Sequence, residues 1–113
     1  RLEEAQKYLE TNFRDPNITL ERLAEEFGSS PNYLGRMFKK DTGMSVSEYL
    51  NEIRLREVKR ELRETSRTAK EIAEQCGFIS SNYFYTYFRK KTGVTPQTYR
   101  EKWRECDKGE MKK

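Results

Sequence analysis

Apolar positions recur at helical spacing along almost the whole chain. Leu2, Ala5, Leu9 and Phe13, with Tyr8 beside them, predict an N-terminal helix that ends before Asp15-Pro16, because proline disfavours a helical residue ahead of it. Leu20, Leu23, Ala24 and Phe27 fall at i, i+3, i+4 and i+7, with Thr19 placed to cap the first amides and Gly28 to stop the helix. Ser30-Pro31 restarts it, and Tyr33, Leu34, Met37 and Phe38 form one stripe that runs until Gly43. Ser45-Val46-Ser47-Glu48, a capping box, opens a long helix to about Glu64 with no glycine or proline inside. Its stripe changes side: Val46, Tyr49, Leu50 and Ile53 share one face, whereas Leu55, Val58 and Leu62 lie opposite.

The second half of the chain repeats the first. At an offset of 49, Thr19 to Gly28 aligns with Thr68 to Gly77. After one extra residue, an offset of 50 aligns Asn32 to Gly43 with Asn82 to Gly93, and Tyr49 with Tyr99. The copy has its own capping box, Thr68-Ala69-Lys70-Glu71, then Ile72, Ala73, Cys76 and Phe78, and a second stripe of Tyr83, Phe84, Tyr87 and Phe88. Each copy is therefore two amphipathic helices joined by a short glycine-containing turn, the helix-turn-helix arrangement. Two copies are too few for a solenoid. Thr95-Pro96 starts a last helix in which Tyr99 and Trp103 cover the second copy.

The fold class expected is all-α, two helix-turn-helix subdomains joined by a long linker helix. Residues 1–44 hold the N-terminal helix and first helix-turn-helix, 45–64 the linker helix, 65–104 the second helix-turn-helix with its terminal helix, and 105–113 a disordered tail.

The outer faces of the second helices carry the chemistry. Projected at 100° per residue, Asn32, Gly35, Arg36 and Lys39 lie opposite Leu34, and Asn82, Tyr85, Thr86 and Arg89 take the equivalent places. Amides, hydroxyls and a guanidinium read base edges, and the basic ends Lys39-Lys40 and Arg89-Lys90-Lys91 pin phosphates. A merely solvated face would not repeat this chemistry at matching positions. Charge is also unevenly placed: residues 1–27 carry four basic and seven acidic groups, whereas each of these helices brings three basic residues. A strut of about twenty residues spans roughly 30 Å, close to the ~34 Å pitch of B-DNA, so the two helices are expected in successive major grooves of one double-stranded DNA.

Composition narrows the alternatives. The 113 residues are 34% hydrophobic and 37% charged with a net charge of +4, which implies a thin, helix-built core and no deep cleft. There is no histidine, hence no imidazole base, ligand or nucleophile pair, and no convergent nucleophile, base and oxyanion donors are found. The chain is read as a non-enzyme with no catalytic residues, no metal and no cofactor. Cys76 falls in an apolar pattern and reads as a small buried hydrophobe, and Cys106 as a thiol in the polar tail, a usage that suits a reducing cytoplasm. No apolar run is long enough for a membrane span. The start at Arg1 rather than methionine is expected of a fragment. The competing reading is a helical protein-protein interaction module without DNA binding, anchored by Tyr85 and Tyr87.

From about Ala5 to Arg104 the sequence resembles the C-terminal DNA-binding domain of the AraC/XylS family of bacterial transcription regulators. The stretches that carry it are Ile18 to Ala24, Ser30-Pro31-Asn32-Tyr33-Leu34-Gly35-Arg36-Met37-Phe38-Lys39-Lys40 to Gly43, Arg54-Leu55, Glu71-Ile72-Ala73 with Gly77-Phe78, and Tyr83-Phe84 through Phe88-Arg89-Lys90-Lys91-Thr92-Gly93-Val94-Thr95-Pro96 to Tyr99-Arg100. The resemblance implies seven helices, binding to promoter DNA, and usually activation of transcription with RNA polymerase. It also implies a missing N-terminal sensor or dimerisation region and a cytoplasmic, nucleoid-associated protein. By position it assigns Asn32 and Arg36 to bases, with Gly35 leaving room between them, and Ser81, Asn82, Tyr85 and Thr86 to the second reading set. Ser30, Lys39, Lys40, Arg89 and Lys90 then face phosphates. Three departures stand out: Ala69 replaces a usually larger aliphatic residue, Ile79-Ser80-Ser81 lacks the acidic residue often found after Gly-Phe, and Tyr85 and Thr86 replace the more usual serine and arginine of that helix, which implies weaker base reading by the second unit with backbone positioning dominant.

Overall fold

Seven helices account for the computed structural model, which describes residues 2–111, with side chains to Arg104. In order they are α1 Leu2–Asn12, α2 Leu20–Glu26, α3 Pro31–Thr42, α4 Val46–Glu64, α5 Ala69–Gln75, α6 Ser81–Thr92 and α7 Pro96–Met111. Among the described residues there is no strand. The helices begin where side chains replace missing backbone partners: Thr19 Oγ1 accepts from Arg22 N at 3.2 Å, and Ser45 and Glu48 cap each other reciprocally at 3.1 and 2.9 Å. α3 and α6 end alike, at Gly43 and Gly93 with φ of 80° and 83°, a left-handed turn in which a β-carbon is strained. Just before each glycine a threonine locks the exit. Thr42 Oγ1 donates to Phe38 O at 2.8 Å and accepts from Met44 N at 3.1 Å, and Thr92 does the same with Phe88 O at 2.8 Å and Val94 N at 3.3 Å.

Two compact units result, Arg1–Arg54 and Leu55–Lys113, and the boundary falls inside α4. The first core comprises Ala5, Leu9, Ile18, Leu23, Ala24, Leu34, Phe38, Val46, Leu50 and Ile53. The second comprises Leu55, Val58, Leu62, Ile72, Ala73, Cys76, Phe78, Phe84 and Phe88. The change of stripe in α4 is thus real: its first half closes one core and its second half opens the other. The expected division gave residues 45–64 a segment of their own, whereas burial assigns half of that helix to each unit. At the 49-residue offset Leu9 of α1 and Phe13 just after it correspond to Val58 and Leu62, so the second half of α4 is the counterpart of α1 and the duplication extends to it.

Each unit also buries an arginine against backbone. Arg54 donates through Nε to Phe13 O at 2.8 Å and through Nη2 to Asp15 O at 2.9 Å, closing the loop between α1 and α2. Arg100 donates to Leu62 O at 2.9 Å, Arg67 O at 2.6 Å and Thr65 O at 3.2 Å, and so satisfies the carbonyls left by the end of α4. Burial, and after it the charge of Arg104, pushes the Arg100 guanidinium below its ordinary pKa. Glu61, 2% exposed, is held by an ion pair with Arg67 and receives the Cys76 thiol at 3.7 Å. Cys76 is wholly buried, as its spacing predicts.

Three expectations change. Tyr33 and Tyr83, placed in the apolar stripes, are 50% and 49% exposed, whereas Leu34, Phe38, Phe84 and Phe88 are buried in the cores and Tyr87 packs at the edge of the second. Trp103 is 41% exposed, stacked on Tyr99 at 6.3 Å with the Arg63 guanidinium 4.9 Å from its ring centre, and so covers little of the second core. α7 continues to Met111, past the point where a disordered tail over residues 105–113 was expected: the segment contains no proline, and its one glycine, Gly109, costs a helix only about 1 kcal/mol. Cys106 lies outside the residues whose side chains are described, and Lys112 and Lys113 lie outside altogether.

Candidate nucleic-acid interface

Within the first unit, α3 packs on α2 through Leu34 and Phe38 and leaves its other side to solvent. Asn32, Arg36, Lys39 and Lys40 are all exposed on α3. Asn32 and Arg36 are separated by four residues, one turn apart on the same face, and the lysines follow at the C-terminal end, where their charge also complements the helix dipole. Among the described residues no hydrogen bond or ion pair engages these four side chains. The Ser30 hydroxyl oxygen accepts from Tyr33 N at 3.2 Å as the N-cap of α3, and its hydrogen remains to donate outward.

Gly35 is placed differently from its projection. A β-carbon at Gly35 would lie 3.1 Å from Leu20 Cδ2, so the glycine faces α2 and its smallness serves the approach of the two helices. It does not merely leave room between Asn32 and Arg36. In the second copy the sizes are exchanged: Ala69 stands at the place of Leu20 and Tyr85 at the place of Gly35. The unusual Ala69 thus accompanies a large residue on the facing helix.

Within the second unit, α6 is anchored by Phe84 and Phe88, whose rings lie 5.8 Å apart. Ser80 Oγ caps it by accepting from Tyr83 N at 3.2 Å. Asn82, Tyr85, Thr86, Arg89 and Lys90 are exposed, and Ser81 is half-buried in the first turn. Tyr85, 41% exposed, rests its ring 5.2 Å from that of Phe84, which limits its rotamers. α6 carries three basic residues and no acidic one. Asn82, Thr86, Arg89 and Lys90 have no hydrogen-bond or ionic partner among the described residues. Lys91 instead sits 5.8 Å from the centre of the Tyr87 ring.

The site residues therefore form two sets, one on each unit, built by the same caps and the same core positions. Counted by unit, the chain has eight basic against ten acidic residues up to Arg54 and fifteen against nine beyond it, so attraction for a polyanion is concentrated in the second unit. Sequence reasoning missed Tyr33 and Tyr83 as surface groups. Each is the third residue of its helix, where the first turn projects beyond the core, and this position was the available signal. No group of three or more candidate ligands able to hold a metal occurs among the described residues, and none of the described helices is long and apolar enough to cross a membrane.

Comparison with known proteins agrees with this construction. The family model described as a helix-turn-helix domain matches residues 23–102. The activator RhaR of Cronobacter sakazakii is 36% identical over 92 residues, which cover 81% of this chain and 32% of the relative. The chain spans about a third of the length of the curated relatives it matches. The C-terminal domain of AraT, a response regulator from Geobacillus stearothermophilus, superposes with a TM-score of 0.86 at 37% identity, covering 89% of this chain and 84% of that one. The DNA-binding domain of AdpA, described as a global transcriptional factor and solved in complex with a target DNA, gives a TM-score of 0.86 at 26% identity over 92% of this chain and 93% of that one. With seven helices, two capped helix-turn-helix pairs and these likenesses, the chain belongs to the AraC-type helix-turn-helix domain family.

Proposed function

We propose that this chain is the sequence-specific, double-stranded DNA-binding part of a bacterial transcription regulator, an activator that works at promoters with RNA polymerase. In this reading α3 and α6 each enter a major groove, on successive turns of the same duplex. Asn32 and Arg36 read bases from α3, and Ser81, Asn82, Tyr85 and Thr86 from α6. Ser30, Lys39, Lys40, Arg89 and Lys90 hold phosphates. The observation that carries the reading is the duplicated helix on which Asn32, Arg36, Lys39 and Lys40, and again Asn82, Arg89 and Lys90, face outward with no hydrogen-bond or ionic partner among the described residues. A guanidinium such as that of Arg36 forks onto guanine O6 and N7, and an asparagine amide pairs with adenine N6 and N7. The remaining length of the regulator supplies a sensor or dimerisation region, and the protein acts in the cytoplasm on the nucleoid.

Selection from a random duplex library followed by salt titration tests this. Selected sites should contain two conserved blocks about 10 base pairs apart. Affinity should fall with a log–log salt slope of about −4, from four cations at roughly 0.9 each. Recovery of no preferred sequence, or affinity indifferent to salt as at an apolar protein interface, overturns the proposal.

A further inference from the structure

Ile79 is 76% exposed, more than any other large hydrophobic residue among those described. Its place in the turn explains why it cannot hide. Phe78 N bonds to Ala73 O at 3.0 Å, the chain passes Ile79, and Ser80 in extended conformation caps α6. Successive side chains along this stretch point opposite ways, so Phe78 goes into the core at 5% exposure and Ile79 points out. A hydrophobic residue directly before an N-cap ordinarily packs on the fourth helical residue. Here that residue is Phe84, and its ring is already met by Phe78 at 5.1 Å and Phe88 at 5.8 Å. Ile79 is not among the side chains packed on this core. In the first copy the residue before the cap is Ser29, whose hydroxyl simply donates to Ser30 O at 3.3 Å. The second copy alone places a branched aliphatic group there, two and three residues ahead of Ser81 and Asn82, on a unit with an excess of positive charge.

We propose that Ile79 is a further specificity-determining residue, packing on the 5-methyl group of a thymine at the edge of the segment that α6 reads. The thymine methyl is the apolar feature of the major groove, and an exposed branched side chain beside a reading helix complements it. The inference rests on the DNA-binding reading above and adds to it a preference that no hydrogen bond supplies.

Replacing each thymine of a selected site by deoxyuridine, one at a time, removes only the methyl group. With the 113-residue chain, one such replacement in the block read by α6 should weaken binding about fourfold, the transfer value of one buried methyl. Ile79→Ala should lose affinity for the thymine site by a similar factor and bind the thymine and uracil duplexes equally, whereas Ile79→Val should retain most of the discrimination. Because the side chain is exposed, the thermal melting of both variants should match the parent. If uracil scanning costs the same in Ile79→Ala as in the parent, or costs nothing in either, the proposal is overturned while DNA binding itself stands. If Ile79→Ala weakens uracil and thymine sites alike, the contact is with sugar rather than methyl, and the proposal also fails. A parent that selects no duplex refutes the DNA-binding reading instead.

Discussion

Alanine at position 35 separates two explanations for the glycine in the first reading helix. Its Cβ would stand 3.1 Å from Leu20 Cδ2, inside the roughly 3.5–4.0 Å optimum for two carbons. Alanine inside a helix gains about 1 kcal/mol over glycine. Overpacking costs about 1–3 kcal/mol, and the low end applies because Leu20 is only partly buried and its methyl groups can rotate away. Gly35→Ala alone should therefore lie between neutral and about 1 kcal/mol destabilising. In a Leu20→Ala background the opposing methyl is gone, and the same substitution should stabilise by about 1 kcal/mol. The coupling of about 1–2 kcal/mol is the quantity to measure, by urea unfolding of the four proteins followed by circular dichroism. Additivity within about 0.5 kcal/mol would refute the packing account. A DNA arm completes the test: the folded double variant should keep the parent's sequence preference, and its loss would return Gly35 to the DNA surface.

Three other outcomes are expected. Arg36→Ala should relax preference at one guanine by about 1–3 kcal/mol, roughly 5- to 150-fold in a competition against the base-substituted duplex, and an unchanged preference contradicts its reading role. Lys39→Ala and Lys90→Ala should each weaken all sequences alike and flatten the log–log salt slope by about one unit, as read by fluorescence anisotropy. Arg100→Met should cost about 2–4 kcal/mol in denaturant unfolding, since it strips the carbonyls of Leu62 and Arg67 of their side-chain donor and leaves Thr65 O only Arg104, and a loss under about 1 kcal/mol would show that water replaces the guanidinium.

Much of this architecture is legible because the signals are local and occur twice. Thr19 and Thr68, Ser30 and Ser80, and Gly43 and Gly93 mark the same boundaries in both copies, and each boundary is set by bonds spanning only a few residues. The change of side in α4 is equally plain, since an angular projection needs no tertiary knowledge. What escapes depends on partners distant in sequence. Arg54 and Arg100 find their carbonyls 41 and 38 residues away. Leu20, the neighbour that explains Gly35, belongs to another helix, so a projection of α3 alone puts Gly35 among the ligand-facing residues. Tyr33 and Tyr83 satisfy helical periodicity and still emerge into solvent, because a stripe predicts direction and not whether the neighbouring helix extends far enough to cover its first turn. Glu61 reads as one more surface carboxylate until Arg67 and Cys76 are seen around it.

The helix that finishes one core and begins the next makes the duplication inseparable. A cut between Arg54 and Leu55 respects every buried side chain, yet it strands up to four carbonyls on one fragment and four amides on the other. Tandem copies strung on a loose tether can be lost, shuffled or expressed singly over evolutionary time. Copies that share one helix are inherited as a pair, because neither can be excised without breaking the backbone ladder that both use.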